Sequence, residues 1–264
     1  MKLHKLVSII VLYCAAGAAQ AACAPIRVGY LNQDRPPYYL GNGSEPANPP
    51  GASIEMIREI AASIGCPIVF VRLPVARVRM ALEAGSIDIA PMSPIGDESA
   101  TFAFPLGKNG KLDADSGLPL VSVVFVRSSD AIARDVDTMR HLQGRTIGIN
   151  HGAMYAEGLR QAGVRVDDGA SDVARNIEKL RRGRIDGYAV TLVSAQDMDG
   201  FIAAHFAGEL TRLEKPLQSS HVWLAVNKAY YARNREQVDA IWAWVARNGR
   251  TRFAQLLDIY SHGQ

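Results

Sequence analysis

A seven-residue phrase occurs twice in this 264-residue chain, as LEAGSID from Leu82 to Asp88 and, 98 positions later, as LRRGRID from Leu180 to Asp186. Each copy runs directly into an apolar stretch, IAPM in the first case and GYAV in the second. A Gly just past an amphipathic segment is the left-handed stop of a helix, and Ile-Asp then opens a short buried strand. One such helix-to-strand corner is ordinary. Two copies separated by a domain-sized interval predict two α/β units built on one plan, not a short-period solenoid.

The segments around each corner alternate as such units require. IRVGY from Ile26 reads as a strand, and a helix from Ser53 carries Ile54, Ile57, Ile60, Ala61 and Ile64 on one face and ends at Gly65. PIVFVR is the next strand, ARVRMALEAG the next helix and IDIAPM the next strand, completing a βαβαβ unit. In the second unit Thr146 to Ile149 is a strand, a helix runs from about Met154 to Ala162, and a helix capped by Ser171 and stopped by Gly183 leads into IDGYAV. VSVVFV lies between the units and HVWLAV after the second. The chain finishes in two helices around QVDAIWAWVARNG and RTRFAQLLDIY.

The first residues, MKLHKLVSIIVLYCAAGAAQA, combine Lys2 and Lys5, a short apolar run and a small-residue site at Ala19-Gln20-Ala21. This is the pattern of a secretory leader over residues 1–21, with an apolar run below the ~18 residues that span a bilayer. A lipidated Cys23 would need an aliphatic residue where Gln20 stands. Without the leader the chain holds 27 basic and 26 acidic residues, a balance that argues against nucleic-acid or membrane-surface partners. Cys23 and Cys66 then remain as an even pair in an exported protein and are expected to form one disulfide, because parallel neighbouring strands start at the same edge of a sheet.

The order and spacing of these segments, from about Ile26 to Leu257, resemble the extracytoplasmic solute-binding proteins of family 3, typified by the amino-acid-binding components of ABC transporters. The resemblance rests on IRVGY with PPYY, SIEMIREIAASIG, ALEAGSIDIA, TFAFP with VSVVFV, HLQGRTIGINHGA, LRRGRIDGYAV and WLAVNK. It implies an α/β, two-lobe periplasmic binding protein-like fold (type II), each lobe a mostly parallel sheet flanked by helices, with two connecting hinge strands. Lobe 1 is expected over residues 22–121 and 223–264, and lobe 2 over 122–222. It further implies a periplasmic monomer that takes a small-molecule ligand between its lobes and works with an inner-membrane permease or sensor, with no metal or cofactor. Two other uses of such a fold stay open: a cyclohexadienyl dehydratase-like enzyme and an accessory subunit of a periplasmic oxidoreductase. No metalloprotease, nucleophile-elbow or dinucleotide motif supports an enzyme.

The same resemblance points to the cleft residues. Tyr38 and Tyr39 are expected to present an aromatic face to the ligand, although Tyr beside Pro36 and Pro37 also serves to pack a loop. Arg77 is expected to be the cation at the cleft, with Arg79 turned outward. Met92 and Ser93, at the end of the strand after the first corner, are expected to line the cleft, as is His151, a polar residue and not a catalyst, and the backbone of Gly152, Ala153 and Met154 is expected to open a helix toward an oxygen of the ligand. Two departures from the amino-acid binders stand out. Their T-x-x-R arginine has no counterpart, since there is no Arg between Arg79 and Arg127, and Thr191 replaces the acid that pairs with an ammonium group. Lys108 and Lys111 lie on a loop and read as solvent-facing. A zwitterion would therefore bury unpaired charge, which costs several kcal/mol, and an ordinary α-amino acid is not the expected ligand.

Overall fold

The computed structural model describes residues 23–206 and 208–262, so the leader expected at residues 1–21 lies outside the described residues. The repeated phrase folds as two closely similar corners. Gly85 and Gly183 take left-handed φ values of 68° and 69°. Ile87 and Ile185 are buried with their Cδ1 atoms over Gly29 and Gly148, where an added Cβ would lie 2.4 Å away in each case. The two aspartates then do the same thing. Asp88 N–H donates to the Arg27 carbonyl at 2.8 Å while its carboxylate accepts from Arg27 N–H at 2.8 Å. Asp186 N–H donates to the Thr146 carbonyl, and its carboxylate accepts from Thr146 N–H, both at 2.7 Å. Each aspartate thus satisfies backbone groups at the start of a neighbouring strand, which is why the phrase demands Asp after Ile.

The first lobe opens with strand β1 (Ile26–Leu31), helix α1 (Ala52–Ile64), β2 (Ile68–Leu73), α2 (Val75–Glu83), β3 (Ile89–Met92) and the short β4 (Phe102–Ala103). The long β5 (Leu118–Arg127) leads to α3 (Thr138–Leu142), β6 (Thr146–Asn150), α4 (Ala156–Gln161), β7 (Arg165–Ala170), α5 (Val173–Arg181), β8 (Gly187–Leu192), α6 (Asp199–Phe206) and β9 (Leu210–Arg212). A second long strand, β10 (Gln218–Asn227), returns the chain to α7 (Lys228–Arg233), α8 (Arg235–Trp244) and α9 (Arg250–His262), the last two joined by one π-helical turn over Val245–Gly249.

The strands hydrogen-bond in the order β2-β1-β3-β10-β5-β8-β6-β7, with β4 added to β10 and β9 to β5. β1 is parallel to β2 and β3, and β6 is parallel to β7 and β8. The two long strands join these halves. Residues Trp223–Val226 of β10 pair antiparallel with β3, while Gln218–Val222 pair antiparallel with Leu118–Ser122 of β5. β5 continues along β8 from Val121 to Phe125. The curled sheet with flanking helices is the type II periplasmic binding fold, two lobes connected by two strands.

Helix α1 buries Ile54, Ile57, Ile60 and Ala61 as its periodicity predicts, with Met56 beside them. Cys23 and Cys66 form a disulfide with a Cα–Cα distance of 5.2 Å, at the edge where β1 and β2 begin in parallel register from Ile26 and Ile68. Two local expectations are corrected. Asp172, not Ser171, caps α5: Asp172 is extended, and its carboxylate accepts from Arg175 N–H at 2.8 Å. The helix expected from Met154 begins at Ala156, because residues 151–155, after the end of β6, form turns, with Ala153 N–H donating to the Asn150 carbonyl at 3.0 Å. Among the described residues no helix is long and apolar enough to cross a membrane.

Candidate ligand-binding cleft

The loop from Asn32 to Gly51 reaches from β1 toward the second lobe and is folded back on itself. Arg35 N–H donates to the Tyr39 carbonyl at 2.8 Å, and Gly41 N–H donates to the Asp34 carboxylate at 3.0 Å. From β2, the Arg72 guanidinium donates to the carbonyls of Gly43, at 2.6 Å, and Gly41. Gly51, at φ 97°, lets the backbone pass so close to Tyr38 that a Cβ would lie 2.5 Å from the Tyr38 carbonyl oxygen. The loop is therefore a rigid support for Arg35, Tyr38 and Tyr39.

These residues meet the other lobe. A cleft of about 420 Å³ is lined by Gln33, Arg35, Ser93, Asn150, Tyr155 and Thr191, together with Gly152, Ala153 and Met154. Adjoining it, and sharing Arg35, Ser93, Met154 and Thr191, lies a chamber of about 250 Å³ walled mostly by the first lobe, with Tyr38, Tyr39, Met56, Met92, Trp223 and Phe253 among its lining residues. Arg35 Nη1 donates to the Thr191 carbonyl at 3.5 Å across 156 positions of sequence. Its guanidinium carbon stands 4.9 Å from the Tyr38 ring centre and 5.7 Å from that of Tyr39, within cation–π range. Arg35 Nε is buried with no hydrogen-bond partner.

The expected residues divide. Tyr39, Met92, Ser93, Gly152, Ala153, Met154 and Thr191 all line the cleft or the chamber, and so does the ring of Tyr38. Ser93 Oγ donates to the His221 carbonyl at 2.6 Å, and Thr191 Oγ1 lies 2.9 Å from Ser122 Oγ, so both hydroxyls already have partners. The amide of Ala153 is engaged in its turn, which leaves it unable to serve a ligand oxygen in the way expected. His151 is exposed, its Nδ1 3.2 Å from the Asp168 carbonyl, and lines neither space.

Arg77 also stands apart: it is exposed and lines neither the cleft nor the chamber. The reason is helical phase. Val75, Val78, Arg79 and Leu82 share the inward face of α2 at spacings of three and four, and a residue two positions from Val75 lies about 200° round the helix. Arg79 therefore reaches inward, lining the chamber, where it pairs with Glu98 and donates to the Ser93 carbonyl at 3.0 Å. Sequence reasoning missed Arg35. Its available signal was a cation set immediately before Pro36-Pro37-Tyr38-Tyr39, a loop already assigned to the cleft.

Tyr38 is 1% exposed and its hydroxyl joins the lobes: it donates to the Asp197 carboxylate and accepts from Val193 N–H at 2.9 Å. Ser194 N–H also donates to Asp197, at 2.7 Å. Burial holds the Asp197 carboxyl above the usual aspartate range, against the opposing effect of these hydrogen bonds and with a smaller push from Asp199. A raised carboxyl favours the protonated form in this arrangement. Its contribution to stability is thus full below the unfolded aspartate value of about 3.9 and is lost as pH rises through the folded value. We expect Asp197→Asn to remove this decline from the stability–pH curve measured by denaturant unfolding between about pH 3 and about pH 6. An unchanged curve would show that Asp197 is not the group responsible.

No protein-family model matches the chain, and no curated protein does. Solved structures do. AbpA, an amino acid ABC transporter substrate-binding protein of Streptococcus pneumoniae bound to L-arginine, superposes with a TM-score of 0.67 at 15% identity, covering 90% of this chain and 94% of that one. A mutant of ArgBP from T. maritima gives a TM-score of 0.66 at 18% identity over 89% of this chain and 94% of its own. The VFT2 domain of BvgS from Bordetella pertussis gives 0.61 at 17% identity over 89% and 92%. At these identities the likeness is one of fold.

Proposed function

We propose that this chain is an extracytoplasmic solute-binding protein, exported by a leader over residues 1–21 and working as a periplasmic monomer. It captures a small ligand between lobe 1 (residues 22–121 and 223–264) and lobe 2 (residues 122–222) and presents it to an inner-membrane permease or to a sensor. The observation that carries this reading is Arg35. A guanidinium from one lobe stands at the carbonyl of Thr191 from the other, with a buried Nε left without a partner, at the wall of a cleft lined from both sides. A buried cationic donor without a partner is costly, and a ligand that completes its hydrogen bonds recovers that cost on closure. The substrate-binding proteins that share the fold support the same role.

β5 and β10 act as the hinge, because β10 pairs with β3 of the first half, β5 pairs with β8 of the second, and the two pair with each other. We expect the ligand-free mature protein to populate an open form, and a ligand found by thermal-shift screening of organic acids, amino acids, amines and small peptides to reduce its radius of gyration in solution scattering. Identical scattering curves with and without saturating ligand would refute hinge closure. A screen in which no solute raises the melting temperature would count against the binding role itself.

A further inference from the structure

The chemistry of the two connected spaces narrows the ligand, on the reading that this cleft is the binding site. No Asp or Glu lines either the cleft or the chamber among the described residues. Two arginines do. Arg79 is neutralised by Glu98 and further held by the Ser93 carbonyl. Arg35 makes no ion pair with a described residue; its neighbours are two tyrosine rings and the Thr191 carbonyl, and the nearby Asp197 is held by Tyr38 and Ser194. The site thus offers one unneutralised planar donor and no carboxylate for an ammonium group. It selects an anion and disfavours a zwitterion or a cation, since a buried charge without a partner is far from compensated by neutral hydroxyls.

The chamber decides the rest of the molecule. The space of about 250 Å³ is walled largely by apolar side chains, among them Met56, Ile57, Ile60, Met92, Val245 and Phe253. An apolar cavity of about 150 Å³ already accepts a benzene-sized guest. The space here suits a ring with a short chain, and Arg35 stands where that chain would end.

We propose that the ligand is an organic monocarboxylate with an apolar, ring-sized body and no ammonium group, its carboxylate paired with Arg35 and its body in the first-lobe chamber. The test uses the mature, oxidised protein, titrated calorimetrically and by the fluorescence of Trp223, which lines the chamber. The probes are 3-phenylpropionate, hexanoate and L-phenylalanine, the last being the first with an ammonium group added. 3-Phenylpropionate should bind and perturb the fluorescence, with hexanoate weaker, and L-phenylalanine at least about 30-fold weaker than 3-phenylpropionate. Arg35→Met should weaken 3-phenylpropionate by about 30-fold, and Arg35→Lys, which keeps the charge without the planar fork, by less. The melting temperatures of the ligand-free variants establish that each is folded. L-Phenylalanine binding as tightly as 3-phenylpropionate would overturn the ligand class while leaving the binding role intact. So would failure of both carboxylates to bind at millimolar concentration when another solute of the wider screen does bind. Binding of 3-phenylpropionate unaltered in a folded Arg35→Met protein would overturn the assignment of Arg35.

Discussion

Replacing both Cys23 and Cys66 by Ser should lower the unfolding free energy of the oxidised protein by about 4 kcal/mol on the chain-entropy account of disulfides. The bridge links residues 43 positions apart, and that loop contains β1, the cleft loop and α1. In the reduced chain the ends of this segment gain freedom that the disulfide removes from the unfolded state, while the folded state keeps the β1–β2 pairing from Ile26↔Ile68 onward. The side chain of Gln237, from α8, donates to Cys66 Sγ at 2.8 Å, a contact that the serine hydroxyl can still accept, so the change reads the cross-link itself. Urea titration of the two proteins, with thiol reductant added to the parent as a third arm, measures the effect. A loss below about 1 kcal/mol would mean that residual structure in the reduced unfolded chain supplies most of the constraint.

The second large effect is expected at the repeated corner. Asp88 is 3% exposed and accepts from three Arg27 donors: N–H at 2.8 Å, Nε at 3.0 Å and Nη2 at 2.5 Å. Asp88→Ala removes a charged acceptor and leaves a strand N–H without its side-chain partner, for which we expect a loss of about 3 kcal/mol. Asp186 is only half-buried and serves Thr146 N–H without a guanidinium partner among the described residues, so Asp186→Ala should cost about 1 to 2 kcal/mol. Equal losses at the two positions would show that the Arg27 side chain adds nothing and that only the backbone cap matters.

Much of this fold was legible because the signals were local and periodic. The spacing of Ile54, Ile57, Ile60 and Ala61 requires a buried helical face, and Gly85 and Gly183 mark left-handed stops that few other residues adopt. The second copy of the phrase requires a second unit of the same design. Elements whose residues carry no such period were not legible, among them β4, with two residues, and β7, whose sequence RVDDGA is largely polar and pairs with β6 at the edge of the sheet. The cap of α5 fell to Asp172 instead of the adjacent Ser171 because either side chain satisfies the rule, and only the backbone path selects between them.

The amino-acid sequence by itself determined the strands and helices that carry a clear period, the duplication of their plan, the pairing of the two cysteines and the absence of an arginine where amino-acid binders carry one. Tertiary structure decided the chemistry of the cleft. The phase of α2, set locally by Val75, Val78 and Leu82, turns Arg79 inward and Arg77 to solvent, but only packing sets what Arg79 meets there, Glu98 and the Ser93 carbonyl. The packing of one lobe on the other brings Arg35 to Thr191 over 156 positions and Tyr38 to Asp197 over 159. Local sequence sets the face that an element buries, because that depends on a repeat of two or 3.6 residues. Which loops meet across a cleft depends on how two separately cored lobes are set by β5 and β10, and no local period encodes that distance.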